Sequence, residues 1–271
     1  MFPISDENPT KRPAILTIAL IIACAGVFFL VQPQDTIDGD IRFTFEYAAI
    51  PCEVVNARPL IEAETNATVE GIDDTACQGD VAEAEPEYFP SKNVFLAMVT
   101  SMFLHGSLLH LGGNMLFLWV FGNNVEDHLG RLWYPVFYLA AGVVATVAHI
   151  AVQLDSTVPV IGASGAIAGV MGAYLVWFPK ARVRTVVVLV PIRLPAFVPL
   201  GVWFVSQFFI SSSDGIAWMA HVGGFVFGVV VALLVRGIKG VREKLWDDEY
   251  NVAETPGGWD NRYGGIGERP W

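Results

Sequence analysis

The sequence predicts an all-α polytopic membrane protein with six transmembrane helices. Of its 271 residues, 54% are hydrophobic and only 16% are charged, whereas soluble proteins carry about 25% charged residues. The apolar residues also lie in long blocks, and a helix needs about 20 such residues to cross the hydrocarbon core of a bilayer. We predict spans at 13–31, 93–120, 133–153, 160–178, 195–212 and 215–236.

The first and fifth spans need separate arguments. The first follows Lys11 and Arg12, as a signal peptide would, but no Ala-x-Ala-like cleavage site follows its apolar run, so we expect it to remain in the protein. The fifth is approached through three prolines, at 191, 195 and 199. We expect residues 185–192 to lie at the membrane interface or against protein, because an open strand cannot face lipid.

Positive charges predict the orientation, because Lys and Arg accumulate in cytoplasmic loops. With the N-terminus inside, the outer segments hold only Arg42, Arg58 and Lys92. The inner segments then hold Lys11, Arg12, Arg131, Lys180, Arg182, Arg184, Arg193, Arg236, Lys239, Arg242 and Lys244. We therefore expect a multi-pass protein of the cell membrane with both termini in the cytoplasm.

The net charge of −11 is concentrated in the first outer loop, residues 32–92. Fourteen of the 27 acidic residues lie between Asp35 and Glu87. This pattern predicts a solvated, weakly structured loop, and an acidic surface argues against nucleic acid as a partner. Cys52 and Cys77 lie in the loop, and the sequence leaves open whether they form a disulfide. The three cysteines have no metal-ligand spacing, and we expect the protein to use no metal or other cofactor.

Three regions are expected along the chain. Residues 1–12 form a cytoplasmic N-terminal segment, and residues 13–240 form the membrane domain, with the acidic outer loop at 32–92. Residues 241–271 form a polar cytoplasmic tail, which we expect to be loosely attached.

A serine and a histidine inside predicted spans could carry chemistry together. Ser164 lies near the start of the fourth span, where a helix N-terminus would offer unpaired amides to a negatively charged oxygen. His221 lies in the sixth span, and a neutral imidazole could accept the hydroxyl proton of a nearby serine. Each also has a simpler interpretation: Ser164 as a small packing residue, and His221 as a buried histidine bonded to a backbone carbonyl.

Glycines favour contact between these two spans. Gly162 and Gly165 flank the serine, and Gly224 and Gly228 follow the histidine at spacings of three and four. Small residues at such spacings let membrane helices pack closely. The expected partner of the Gly224 and Gly228 groove is the face of the fourth span made by Gly165, Gly169 and Gly172.

The second span contributes further polar groups. His110 and Asn114 are four residues apart, so they share one helical face. Their donors could converge on an oxyanion from the side opposite the fourth span. We expect structural roles for the other three histidines, His105, His128 and His149.

The histidine has no obvious acidic partner. We expect no Asp or Glu well inside a span, and Asp214 precedes His221 by seven residues, about 10 Å along a helix. A Ser–His dyad therefore fits better than a triad, and the orientation of His221 is left to packing or to a non-acidic partner. The sequence also lacks a His-Glu-x-x-His zinc motif and paired aspartates within its spans.

These motifs resemble those of the rhomboid family of intramembrane serine proteases. The stretch Gly162-Ala163-Ser164-Gly165 is similar to the nucleophile motif of the family, and Ala220-His221-Val222-Gly223-Gly224 with Gly228 is similar to its general-base helix. His110 and Asn114 resemble its oxyanion pair, and Glu126-Asp127-His128-Leu129-Gly130 resembles its Glu-x-x-x-Gly turn. The resemblance runs from the N-terminus to about residue 240.

The resemblance implies a six-transmembrane-helix rhomboid-like bundle with a short, central fourth helix. It implies an endopeptidase that cleaves transmembrane-protein substrates in or near their spans through an acyl-enzyme. Ser164 would be the nucleophile and His221 the base, with the oxyanion held by His110, Asn114 and the Ser164 amide. Some members stack a tyrosine, four residues after the nucleophile, on the base. Ala168 stands there in this chain, so His221 needs other packing.

Two other functions remain open from the sequence. A non-proteolytic rhomboid-like protein would bind transmembrane clients, although such relatives typically lack the serine or the histidine. A transporter or channel would use the polar face of the second span, but it would also be expected to contain charged or unwound segments at the midplane. The physiological substrate and the oligomeric state cannot be read from the sequence.

Overall fold

The structure is a computed structural model that describes residues 2–33, 36–75, 77, 86–210 and 216–237. The chain divides into two units, Met1–Leu234 and Val235–Trp271. Asp214 and the predicted tail at 241–271 lie outside the described residues.

Apolar helices dominate the described residues. Two of them, Leu108–Ile150 and Trp218–Arg236, are long and apolar enough to cross a membrane by length and composition. Shorter apolar helical stretches occupy Ile15–Val31, Ser164–Trp177 and Phe197–Phe209. The first stretch comprises helix α1 (Ile15–Gly26) and a π-helical turn at Val27–Val31.

The long helix α6 (Leu108–Ile150) is two helices joined at Gly130, whose φ of 76° and ψ of 169° are not helical. Glycine adopts such a conformation without steric cost. The predicted start of the second span, residue 93, is wrong. Residues 97–103 form only a short helix α5 (Ala97–Thr100) and a 3₁₀ turn, and the membrane helix begins at Leu108, where the Ser107 hydroxyl accepts a hydrogen bond from the His110 amide.

Helix α7 (Ser164–Trp177) is short and central, and eleven of its 14 residues are buried. It is followed by helix α8 (Phe197–Ser206), which a 3₁₀ turn at Gln207–Phe209 extends, and by helix α9 (Trp218–Gly237). Small residues on α7 face both neighbours: a Cβ added at Gly165 would lie 2.6 Å from the Ala145 Cβ of α6, and Gly169 faces the Gly224 carbonyl of α9.

A small antiparallel sheet corrects the expectation of an all-α protein. Strands β1 (Phe2–Asp6), β2 (Arg182–Val187) and β3 (Val190–Pro195) pair in the order β1-β2-β3. Residues 185–192, expected at an interface or against protein, form most of the β2–β3 hairpin. Local sequence patterns do not predict the sheet, because its first strand lies about 180 residues before its partner. Pairing satisfies the backbone groups of the central strand β2 and those of β1 and β3 that face it.

The first outer loop is folded in its described part, so the expectation of a weakly structured loop is wrong there. It forms helices α2 (Ile37–Tyr47), α3 (Pro51–Asn56) and α4 (Glu62–Val69). Phe45, Ile50, Cys52 and Leu60 make a small buried core. The disulfide that the sequence left open joins Cys52 to Cys77, with a Cα–Cα distance of 5.8 Å.

The expectation of a solvated loop failed because some of its acidic groups are buried and paired with basic side chains. Glu53 and Lys92 form an ion pair of 2.5 Å, and both side chains are almost fully buried. Burial raises the pKa of Glu53 and lowers the pKa of Lys92, while their mutual attraction opposes both shifts. Arg58 binds Glu64 through two hydrogen bonds, of 2.9 and 2.7 Å.

The folded loop also holds the connection that leads into α7. The Cys52 amide donates to the Ser156 carbonyl at 2.9 Å, and the Val160 amide donates to the Ala49 carbonyl at 2.8 Å. These backbone bonds fix the chain four residues before Ser164.

The motif around Glu126 anchors the first helix. Glu126 is buried in the last helical turn before the break at Gly130, beyond the predicted end of the second span at residue 120. Its carboxylate accepts hydrogen bonds from the Leu16 amide and from the amide and hydroxyl of Thr17. These groups lie in the first turn of α1, where a negative charge is favoured by the helix dipole.

Hydrogen bonds and ion pairs hold strand β1 at the same end of the helices. One carboxylate oxygen of Asp6 accepts hydrogen bonds from the Asn124 amide of α6 at 2.6 Å and from the Tyr174 hydroxyl of α7 at 3.0 Å. Glu7 forms ion pairs with Arg184 and Arg193 of the hairpin, at 3.2 and 2.8 Å. This Asp6 clasp therefore joins β1, α6 and α7.

We predict that the Asp6 clasp weakens as pH rises. Burial raises the pKa of Asp6 to about 6 from 3.8, although hydrogen bonds from Tyr174 and Asn124 oppose the shift. Because the pKa in the folded state lies above the unfolded value, the stabilising protonated form is fully present below about pH 4 and is lost as pH rises through about 6.

Hydrogen–deuterium exchange of β1 measures this effect. After correction for intrinsic exchange rates, its amides should be better protected at about pH 5 than at about pH 7.5. Asp6→Asn keeps an acceptor for Asn124 and Tyr174 and should abolish the pH dependence. Equal pH dependence in wild type and Asp6→Asn would contradict the prediction.

Candidate active site

Ser164 is the first residue of α7, directly after a turn at Gly162. Gly162 has a φ of 117°, a region that side chains other than glycine rarely adopt, and its amide donates to the Ser101 carbonyl at 2.9 Å. The first amides of a helix have no partner within it, so those of Ser164 and Gly165 lie at the positive end of α7.

His221 lies in the first turn of α9 and faces this serine. Its Nε2 atom is 2.8 Å from the Ser164 Oγ atom. This distance is within the range for a hydrogen bond in which the hydroxyl donates to a neutral imidazole. The structure thus brings together the two residues that the sequence proposes as nucleophile and base.

Close helix packing allows this contact. A side-chain carbon at Gly224 would collide with the Gly165 carbonyl, and one at Gly228 would collide with the Gly169 carbonyl. The α9 and α7 backbones therefore touch along the glycine faces that the sequence pairs with each other. A residue with any side chain at Gly228 would have to push the helices apart.

The other ring nitrogen of His221 has a partner that sequence reasoning missed. Its Nδ1 atom lies 2.7 Å from Oε1 of Gln207, which follows α8 and is buried. The Trp203 ring lies 5.7 Å from the His221 ring, between centroids, and packs near it where Ala168 offers no aromatic group. An amide within an otherwise apolar span is the signal that could have identified Gln207.

His110 and Asn114 lie beside the turn that precedes the serine. A Cβ placed on Gly162 would be 2.7 Å from the His110 Nε2 atom and 3.6 Å from the Asn114 Nδ2 atom. Asn114 is buried, and its Nδ2 donor makes no hydrogen bond within the described part of the chain. An unpartnered buried donor is costly, so this amide is available to an incoming acceptor.

A small cavity adjoins the serine. Its volume is about 20 Å³, and it is lined by residues that include Ser101, Thr146, Gly162 and Ser164. This volume can hold one water molecule, and the lining offers polar groups to bind it.

The other histidines lie outside the Ser164–His221 contact. The His105 ring is buried, and its centroid lies 5.1 Å from that of the His110 ring. The backbone amide of His105 donates a hydrogen bond to the Gln32 side chain. His128 stacks on Trp177 at 4.1 Å between ring centroids, and His149 is buried in α6.

Among the described residues, one group has a spacing that a metal ion could use, Cys52, Glu64 and Cys77. Its two sulfurs are joined in the disulfide. They are therefore not the free thiolates that bind metals.

Together these helices and their buried polar site define a helical membrane protein with a paired serine and histidine. The rhomboid domain family matches residues 92–238, more than half of the chain, so this protein belongs to the rhomboid family. The match contains Ser164, His221, His110, Asn114 and Gln207.

Similar proteins include mitochondrial and bacterial members of this family. The chain is 34% identical over 151 residues to Presenilin-associated rhomboid-like protein A, mitochondrial, of Danio rerio, covering 51% of this chain and 37% of that protein. It is 29% identical over 158 residues to Rhomboid protein 1, mitochondrial, of Saccharomyces cerevisiae, covering 54% and 42%. It is 30% identical over 135 residues to Rhomboid protease GluP of Bacillus subtilis, covering 50% and 25%. The chain thus spans less than half the length of these curated relatives.

Proposed function

We propose that this protein is an intramembrane serine endopeptidase that cleaves transmembrane-protein substrates in or near their membrane spans. The observation that carries the proposal is the 2.8 Å contact between Ser164 Oγ and His221 Nε2, which is partly buried among apolar helices. A relative named as a rhomboid protease supports the same class of reaction. A serine and a neutral histidine at this distance are the two groups that nucleophilic acyl transfer needs.

The first half of the reaction forms an acyl-enzyme. Ser164 Oγ attacks the carbonyl carbon of the scissile peptide bond while its proton passes to His221 Nε2. The carbonyl oxygen becomes negative and is bound by the His110 and Asn114 side chains and the Ser164 amide, which border the same turn. The C–N bond then breaks, and His221 returns the proton to the leaving amine.

The second half releases the product. Water attacks the ester carbon, His221 takes a proton from it, and the new oxyanion occupies the same donors. When the ester bond breaks, the proton returns to Ser164 Oγ and a carboxylic acid leaves. No metal or other cofactor enters either half.

The proposed arrangement in the membrane has six crossing segments. They are 15–31, 108–129, 131–150, the short α7, 197–209 and α9, within a membrane domain at 13–240. The protein would lie in the cell membrane, with both termini in the cytoplasm. Pairing of β1 with β2 agrees with this, because it joins the N-terminal segment to the arginine-rich hairpin on one side. The partners would be the lipid bilayer and transmembrane substrates.

We predict that substrate segments with weak helical propensity are cleaved faster. A substrate helix that enters the site must unwind to expose a peptide bond. Unwinding costs more free energy for a leucine helix than for one that contains Gly or Pro, because these residues are about 1 and 3 kcal/mol less favourable than Ala in a helix. The measurement is cleavage of single-span reporters that differ only in two residues near the outer end of the span. Equal rates for polyleucine and for the Gly or Pro reporter would contradict the prediction.

Reconstitution tests the proposed function against client binding. Wild type in proteoliposomes should cut at least one reporter from a panel of single-span proteins into two defined products, identified by mass spectrometry. A protein that bound the reporters but cut none of them, with unchanged binding in Ser164→Ala, would instead be a non-proteolytic client-binding protein.

A further inference from the structure

We infer that Gln207 is a positioning residue that selects the tautomer of His221. The inference rests on the proposed function, in which His221 is the base. It starts from a feature outside the sequence motifs: a buried glutamine amide between the end of α8 and the start of α9, 2.7 Å from the Nδ1 atom of His221.

The orientation of the Gln207 amide is fixed by its other neighbour. Its Nε2 atom donates to the Trp203 carbonyl at 2.9 Å and lies 3.3 Å from the Ser206 hydroxyl. A backbone carbonyl can only accept a hydrogen bond, so the nitrogen of the amide must face Trp203. The amide oxygen then faces His221.

The fixed amide dictates where the imidazole proton lies. Gln207 Oε1 can only accept, so His221 Nδ1 must carry the hydrogen. The Nε2 atom of a neutral ring then has its lone pair free, and this atom faces the Ser164 hydroxyl. The chain of donors runs from Ser164 to His221, from His221 to Gln207 and from Gln207 to the Trp203 carbonyl.

This series of hydrogen bonds gives Gln207 the orienting role that a carboxylate has in a catalytic triad. With the opposite tautomer, Nε2 would carry a hydrogen and could not accept the Ser164 proton. A neutral amide does this without placing a second charge inside the membrane, where an ionised side chain is costly.

The first test measures the tautomer directly. Nitrogen-15 NMR of histidine-labelled protein in micelles distinguishes a protonated Nδ1 from a protonated Nε2, and His221→Gln assigns the signal among the five histidines. Wild-type His221 should be protonated at Nδ1. In Gln207→Leu, which removes the acceptor at similar volume, the Nε2-protonated form should appear. A wild-type ring protonated at Nε2, or an unchanged tautomer in Gln207→Leu, would overturn the inference.

The second test measures turnover. Gln207→Leu should lower kcat about 10- to 100-fold, the loss that is typical when the partner that orients a metal-ligating histidine is removed, with KM for the reporter unchanged. Gln207→Glu should restore kcat to within about tenfold of wild type, because a carboxyl accepts from Nδ1 in either protonation state. Gln153→Leu, the same change in the turn after α6, is the matched control and should behave as wild type.

The two tests separate this inference from the proposed function. Should Ser164→Ala keep full activity, the proposed nucleophile would be wrong, yet the NMR test would still decide whether Gln207 sets the His221 tautomer. A fall in kcat that Gln207→Glu failed to restore, with a wild-type tautomer in Gln207→Leu, would show a packing role and overturn the inference.

Discussion

Replacing Ser164 or His221 by alanine is expected to lower reporter cleavage by at least about 10⁴-fold. Ser164→Ala removes the attacking oxygen, and His221→Ala removes the group that takes its proton. Residues that act as one unit are strongly non-additive, so the double variant should be no slower than either single variant. Rates are measured on one reporter in proteoliposomes under single-turnover conditions.

Two controls distinguish the loss of a catalytic group from a loss of the fold. Ser91→Ala makes the same chemical change at an exposed turn and should cleave at the wild-type rate. Each alanine variant should also keep the thermal stability of wild type, because only a few atoms at the site are lost. Substantial cleavage by folded Ser164→Ala would show that another residue is the nucleophile.

Gly228→Ala is expected to destabilise the protein by about 2 kcal/mol or more and to lower kcat about 100-fold. In a helix interior this change normally stabilises by up to about 1 kcal/mol. At Gly228 the new carbon would meet the backbone of Gly169, which cannot rotate away, and overpacking costs about 1–3 kcal/mol. The separation of α9 from α7 would also move His221 from Ser164, and a displacement of about 1 Å can cost about 100-fold in rate.

Two glycines provide matched controls for this variant. A Cβ at Gly201 of α8 or at Gly26 of α1 would meet nothing within 4 Å. Gly201→Ala and Gly26→Ala should therefore be at least as stable as wild type in unfolding followed by tryptophan fluorescence in mixed micelles. Equal stability and rate in Gly228→Ala and Gly201→Ala would refute the close contact between α7 and α9.

The central pair could be proposed from the sequence because membrane burial makes its polar residues conspicuous. Ser164, His221, His110 and Asn114 stand out in apolar spans, and glycine spacing already pairs the fourth span with the sixth. The predicted helix ends also agree to within about four residues, except at the start and the end of the second span, where the helix runs from Leu108 to the break at Gly130 rather than from 93 to 120. Their roles in catalysis remain proposals, which the variants above test.

The missed features depend on contacts that are distant in sequence or hidden by composition. The β1–β2 pairing joins strands about 180 residues apart, and no local pattern records it. The acidic outer loop was expected to be solvated because a charge count does not distinguish an exposed carboxylate from Glu53, which is buried against Lys92. Gln207 is conspicuous only as an amide in an apolar span, and the geometry around His221 is needed to show which group it contacts.

Covalent labelling of the proposed nucleophile tests most directly whether His221 activates Ser164. A fluorophosphonate reacts with serine only where a neighbouring base activates the hydroxyl. We predict a single adduct, located by tandem mass spectrometry on Ser164 and absent from His221→Ala. An adduct on another serine, or equal labelling of Ser164 in wild type and His221→Ala, would contradict activation of Ser164 by His221.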